Sequence, residues 1–166
     1  MDKLPKIGLP ILFLGIILVI LIAKSTVTID SGEAGVLYKT FAGGVVTDEL
    51  PLDEGFHVVA PWNKVFVYEV RQQSLEEKMQ VLSSNGLEIK LDASIWFQPL
   101  YNELGSLHKE RGENYIQRVL QPAVRSAARA VVGRYDPEQL YASKRETIQR
   151  EIFEETELYC RASMSK

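Results

Sequence analysis

Hydrophobic and polar residues along this chain fall into three successive rhythms. From Ile7 to Ala23 there is no charge, and the run is bracketed by Lys6 and Lys24. Those 17 residues, rising about 1.5 Å each as a helix, cover about 25 Å, against about 30 Å for the hydrocarbon core of a bilayer. Leu, Ile and Val face every side of such a helix, and little in the rest of the chain could cover it completely. The run therefore reads as an uncleaved membrane anchor, with Lys6 and Lys24 snorkelling to the interfaces. A cleavable secretory leader competes with this reading, because Lys3 and Lys6 give a basic start and Ala23-Lys24-Ser25 loosely resembles a small-residue cleavage site. Against it, the apolar run exceeds the usual leader core of about 7 to 15 residues, and a lysine sits inside the cleavage signal.

After the anchor, β-branched and aromatic residues gather in short bursts separated by turn formers. Thr26 to Ile29, Val36 to Tyr38, Phe56 to Val59 and Val65 to Val70 are strand candidates. Gly32, Gly35, Gly43-Gly44, Pro51, Gly55 and Pro61 punctuate them. The clearest alternation runs from Leu87 to Phe97, where Leu87, Ile89, Leu91, Ala93, Ile95 and Phe97 interleave with polar residues, as in a strand with one buried face. Met79 and Val81 alternate in the same way upstream. A two-residue Asn-Gly turn would set Val81 opposite Lys90. A three-residue loop, Ser84-Asn85-Gly86 with Gly86 left-handed, instead pairs Val81 with Ile89 and Met79 with Leu91, and this register is expected. Trp96 falls on the polar face, so it is expected to be partly buried against another element or to meet a membrane interface.

From Tyr101 the period becomes helical. Ile116, Val119, Leu120, Ala123, Ala127 and Val131 form one apolar face. Arg118, Arg125 and Arg129 fall on the opposite side, as a solvated stripe or a docking surface for acidic neighbours or lipid phosphates. Pro122 lacks a backbone donor and restricts Gln121, so a kink or break is expected there. A further helix starts with Asp136 as its cap, Pro137 in its first turn and Glu138 near the positive end of the dipole. Tyr141, Arg145, Ile148, Ile152, Glu155 and Tyr159 recur at spacings of four and three, a narrow coiled-coil-like seam weakened by two charges. It serves either internal packing or a partner helix. The fold class expected is α+β: an N-terminal transmembrane helix, an antiparallel or mixed sheet packed by helices, and a C-terminal helix that begins a coiled-coil-like segment.

Charge and chemistry narrow the function. The chain has 19 Lys and Arg against 22 Asp and Glu, a net of −3. Outside the first 26 residues the balance is 16 against 21, a net of −5. Nucleic-acid binding would need a concentrated positive footprint and is not expected. His57 and His108 stand alone, without a metal-ligand spacing. Gly32-Glu33-Ala34-Gly35 lacks the spacing and lysine of a phosphate loop, and no serine sits in a nucleophile-elbow pattern. Glu76-Glu77 and Glu154-Glu155 are adjacent pairs whose side chains diverge. Cys160 is the single cysteine and reads as an incidental thiol. No catalytic residue, cofactor or metal is expected, and the chain is not expected to be an enzyme. Lys3 and Lys6 precede the apolar run while Lys24 and Lys39 follow it, a weak bias that, with the short N-terminal flank, favours the N-terminus in the cytoplasm and the domain outside it.

Four segments together carry a family resemblance. They are Val36-Leu37-Tyr38-Lys39-Thr40-Phe41-Ala42-Gly43-Gly44-Val45, Asp53-Glu54-Gly55-Phe56-His57-Val58-Val59-Ala60-Pro61-Trp62, Arg118-Val119-Leu120-Gln121-Pro122-Ala123-Val124-Arg125-Ser126 and Val131-Val132-Gly133-Arg134-Tyr135. The chain closely resembles the prohibitin branch of the stomatin/prohibitin/flotillin (SPFH) superfamily, from about residue 25 to residue 157. The resemblance implies an SPFH domain over residues 25–135, after an anchor over 1–24. Residues 136–166 would form a C-terminal helix, shortened relative to the family, whose members continue with a strand and a long coiled coil. A missing strand would leave a sheet edge unpaired. It further implies a non-enzymatic scaffold of large ring- or cage-like assemblies with prohibitin-like subunits, contact with membrane lipid, and association with a membrane-anchored AAA-type protease. A smaller regulatory adaptor of that protease is the alternative. The location implied is a bacterial inner membrane or, alternatively, a mitochondrial inner membrane. Arg118, Arg125, Arg129, Tyr141, Ile148 and Ile152 are the candidate protein-interaction residues.

Overall fold

The computed structural model describes residues 8–141 and 144–164, with side chains for 12–140 and 144–161. Helix α1 (Gly8–Lys24) is 17 residues long. The expectation of a transmembrane helix is met only in part: an apolar helix forms, but among the described residues no helix is long and apolar enough to cross a membrane. The physical shortfall is that of the sequence itself, about 25 Å of helix against about 30 Å of hydrocarbon. Its C-terminal carbonyls are closed by the next residues, with the Ser25 hydroxyl donating to Leu21 O at 2.8 Å and that of Thr26 to Ala23 O at 3.4 Å.

The chain then forms two compact units. The first runs to Arg71 and includes Pro99–His108. In it β1 (Thr26–Ile29) pairs antiparallel with β4 (Gly55–Val58), while β2 (Glu33–Lys39) lies between the short β3 (Gly44–Val45) and β5 (Lys64–Glu69). All these pairings are antiparallel, as β-branched and aromatic bursts split by tight turns favour. Gly44, read above as part of a turn, instead pairs with Lys39, beside Val45 on Tyr38. Ile29, Ala34, Val36, Tyr68 and Leu104 are buried. A 3₁₀ turn (Tyr101–Glu103) leads into α2 (Leu104–Arg111). Gly105 of α2 approaches so closely that a Cβ there would stand 2.5 Å from the carbonyl oxygen of Val46.

The second unit comprises Gln72–Gln98 and the residues from Lys109 onward. Its hairpin of β6 (Gln73–Leu82) and β7 (Glu88–Phe97) has the expected register, with Val81 opposite Ile89 and Met79 opposite Leu91. Gly86 has φ +80° and donates to Ser83 O at 3.0 Å, closing a turn that only a residue at ease in the left-handed region permits. Val81, Ile89 and Val132 form the core, with Met79, Leu91, Leu140 and Ile152 packed against them. Trp96 corrects an expectation: it is 68 % exposed rather than partly buried, because its face of the two-stranded ribbon carries Ser74 opposite it and Glu76–Ser94 beside it.

Pro122 does not break its helix. Ile116–Leu120 form a π turn that runs directly into α3 (Gln121–Val132). The Gln121 N–H donates to Ile116 O, so the ladder widens by one residue just where Pro122 cannot donate. Gln121 keeps helical angles, φ −62° and ψ −47°. The expected continuous C-terminal helix is two: α4 (Pro137–Tyr141) and α5 (Arg145–Met164). Asp136 occupies the capping position, but its carboxylate accepts from the Ser84 hydroxyl, while its carbonyl takes the N–H groups of Gln139 and Leu140.

Candidate functional site

The residues singled out by sequence divide into an unpartnered helix, a buried charge cluster and a packed seam. Along α1, Leu12 to Ile22 are exposed on all sides, from 40 % at Ile17 to 68 % at Leu14. Lys24 ends the helix, exposed, where a cation complements the negative end of the dipole. Lys6 lies outside the described residues.

The arginines do not act as one stripe. Arg118 and Arg129 are exposed, but Arg125 Nε donates to Glu77 Oε1 at 2.6 Å, and Gln121 Nε2 donates to the other oxygen at 2.7 Å. Glu77 lies on the inward face of β6 with a side chain only 4 % exposed. Burial pushes its carboxyl up. The hydrogen bonds from Gln121 and Arg125 and the Arg125 charge outweigh this and hold it below its ordinary value. At a regular 100° per residue Arg118 and Arg125 would be about 20° apart. The extra residue of the π turn moves them out of line by up to about 100°. Glu77 was missed as a site residue. The signal was available: it interrupts the inward series Leu75, Met79, Val81 with a carboxylate, and a buried carboxylate demands a cation on whatever covers it.

The C-terminal seam is packed within the chain. Ile148 is 6 % exposed and Ile152 lies on the Val81–Ile89–Val132 core. The buried stripe continues to Thr156 and half-buried Cys160, every fourth residue, rather than to Glu155 and Tyr159. Thr156 satisfies its hydroxyl on Ile152 O at 2.7 Å. Glu155 accepts from Arg134 at 2.8 Å, a bond that raises the arginine pKa. Glu151 accepts from the Tyr135 hydroxyl at 2.6 Å, which pushes that phenol up. Tyr141 ends α4, and its side chain lies outside the described part. Ile148 and Ile152 thus pack within the chain, and a coiled coil is not shown.

Both histidines and Tyr101 are engaged structurally. His108 Nδ1 lies 2.6 Å from the Tyr68 hydroxyl and its ring stacks on Phe66 at 4.1 Å. His57 Nε2 contacts Asp53 O at 2.7 Å. Burial, then the bond to Asp53, pushes the Tyr101 phenol up to about 12. Burial raises the Cys160 thiol, which makes it a poor nucleophile at neutral pH. Among the described residues no group of three or more His, Cys, Asp or Glu side chains is placed to hold a metal ion.

A family model described as SPFH domain / Band 7 family matches residues 27–158. The chain belongs to this family. The SPFH match takes in all three sheets, from the second residue of β1, and most of α5. Relatives are prohibitins, in agreement with the resemblance read from the sequence. Prohibitin-2, mitochondrial, of Arabidopsis thaliana is 27 % identical over 132 residues, 79 % of this chain and 45 % of the relative. Prohibitin-1, mitochondrial, of the same plant is 26 % identical over 77 % of this chain and 43 % of its own. Prohibitin 1 of Mus musculus is 25 % identical over 75 % and 44 % respectively. This SPFH chain thus spans less than half the length of the relatives it matches.

Proposed function

We propose that this SPFH chain is a membrane-anchored, non-enzymatic scaffold subunit that oligomerises, with copies of itself or with prohibitin-like subunits, into a large ring or cage organising the surrounding membrane. The observation that carries the reading is α1, apolar and exposed on every side, where α3 and α5 each bury a face. An all-round apolar helix needs a solvent of its own kind. Snorkelling of Lys24, and of Lys6 before the described part, supports the fit of a short span. The location is a bacterial inner membrane with the domain outside the cytoplasm, or a mitochondrial inner membrane, which the names of the plant relatives support. Modulation of a membrane-anchored AAA-type protease belongs to the same reading. Exposed Arg118 and Arg129 are among the surface cations available for acidic neighbours or lipid phosphates.

The packed seam favours a second reading. Ile148 and Ile152 are spent inside the chain, leaving fewer apolar positions on α5 for helix pairing between subunits. A smaller adaptor that binds the protease without a closed assembly fits that economy. The mass of the complex extracted in a native-lipid nanoparticle separates the two. A large uniform species supports the scaffold; a small complex carrying the protease supports the adaptor; a monomer without partners defeats both.

A further inference from the structure

The two edges of the β6–β7 ribbon differ in character. Among the described residues the ribbon has only two strands, so each strand keeps one side without a neighbouring strand. Ser83 N donates to Leu87 O at 2.9 Å, which makes that pair a hydrogen-bonded one, and in an antiparallel ladder such pairs recur at every second residue. Val81–Ile89 and Met79–Leu91 are therefore hydrogen-bonded pairs as well. The backbone N–H and C=O groups of Glu88, Lys90, Asp92, Ser94 and Trp96 consequently point away from β6, along the free edge of β7. Among the described residues they have no backbone partner.

On β6 an inward carboxylate, Glu77, interrupts the apolar face, and an inward charge is one of the devices that blunt a strand edge. Strand β7 has no such device. Its inward residues Ile89, Leu91, Ala93, Ile95 and Phe97 are all apolar, it contains no proline, and its register with β6 runs without a bulge. Of those five only Ile89 is buried, and the others are half-buried, as where a sheet stops short of its cover. The tip of the ribbon is tied down by Ser84 N donating to Tyr135 O at 3.1 Å, so the edge is presented already ordered, which lowers the cost of docking.

We propose that the free edge of β7 pairs antiparallel with the same edge of a second copy, across a two-fold axis at Leu91, and joins two hairpins into one four-stranded sheet. The proposal rests on the self-assembly in the proposed function and names a contact for it. Inward residues must meet inward residues, so the axis passes through a residue and not between two. An axis at Lys90 or at Asp92 would set that residue against its own copy, like charge on like. An axis at Ala93 would leave Asp92 against Ser94 and Lys90 against Trp96. At Leu91, each Lys90 stands opposite the partner's Asp92. Lys78 already stands opposite Asp92 within the hairpin, so every Asp92 lies between its own Lys78 and the partner's Lys90. On the inward face Leu91 meets Leu91 and Ile89 meets Ala93, which extends the apolar cover. The occupant is a second copy because this order of charges is complementary to itself.

The test uses the full chain carrying Cys160→Ser, extracted in native-lipid nanoparticles. Glu88→Cys with Ser94→Cys introduces thiols about 20 Å apart along one strand but, across the axis, on residues whose Cα atoms are about 5.5 Å apart. Mild oxidation is expected to give a covalent dimer on a denaturing gel. Adding Lys90→Asp should lower its yield about tenfold, because two attractive pairs become repulsive. Adding Lys78→Asp and Asp92→Lys as well inverts the whole row and should restore the yield. All these positions on the ribbon are exposed, so the variants spare the fold. A large complex without the cross-link overturns the edge contact and spares the scaffold. A cross-link indifferent to Lys90→Asp overturns the pairing at Leu91. A cross-linked species no larger than a dimer supports the edge and defeats the ring, and a monomer that never cross-links defeats both.

Discussion

Helices α1 and α5 bracket the described chain and solve the burial of apolar surface in opposite ways. In α5 the apolar residues that matter lie on one line, Ile148, Ile152 and the Thr156 methyl, and the same chain supplies their cover from β6, β7 and α3. Charged and polar residues fill most of the rest of that helix, with Phe153, Leu158 and Tyr159 exposed among them, and Glu151 and Glu155 are drawn into bonds with Tyr135 and Arg134. In α1 apolar residues occupy every line and nothing among the described residues covers them. The contrast teaches that the periodicity of an apolar pattern says where its solvent must come from. A narrow stripe is completed by the chain's own core, and an unbroken one by a surrounding phase.

The largest effect should come from breaking that contrast at α1. Ile16→Asp with Ile20→Asp is expected to cost about 6 kcal/mol of insertion, at about 3 kcal/mol for each central carboxylate, and to shift the protein out of the vesicle fraction on flotation. Full retention in that fraction would mean that α1 is not the anchor. Next, Ile148→Ala should destabilise the second unit by about 3 kcal/mol in denaturant unfolding. A loss near zero would make this position an assembly contact instead of core.

Arg125→Ala probes how the hairpin is held to α3. It leaves the buried Glu77 carboxylate with one partner fewer and should cost about 2 kcal/mol at neutral pH. Because the folded-state pKa of Glu77 is depressed below its ordinary 4.5, the pair's contribution is complete above that value and lost as pH falls through the lower one. The deficit of the variant should therefore shrink in acid, as urea midpoints at the two pH values will read; a deficit that grew in acid would contradict the pairing. The smallest effect belongs to the outward face of α5, where Phe153→Ala should stay within about 0.5 kcal/mol of the wild type. A larger loss, appearing only in the assembled protein, would show that this face is covered by a partner.

Legibility followed how local each cause was. The hairpin register was readable because alternation and a glycine-bearing loop admit only one pairing that keeps Val81 and Met79 inside. Family membership was readable from contiguous motifs. The π turn was not, since the missing donor of Pro122 allows either a break or a widened ladder, and packing on both sides decides. The stripe on α5 was misplaced at its end because spacings of three and four lead from Ile152 to Glu155 and Tyr159 as readily as to Thr156 and Cys160; the structure buries Thr156, whose hydroxyl bonds to Ile152 O within the helix. Glu77 escaped for a related reason: its partners lie 44 and 48 residues away, and only the covering helix reveals them.

Cys160 closes the buried stripe of α5 as the chain's only thiol. Half covered, with burial raising its thiol pKa, it reacts slowly where it stands and faster when the last turns of the helix lift away. Its reaction rate is therefore a clock: slow modification would time the opening of one helix end in the intact protein, and any partner that clamps α5 would be registered as a longer interval.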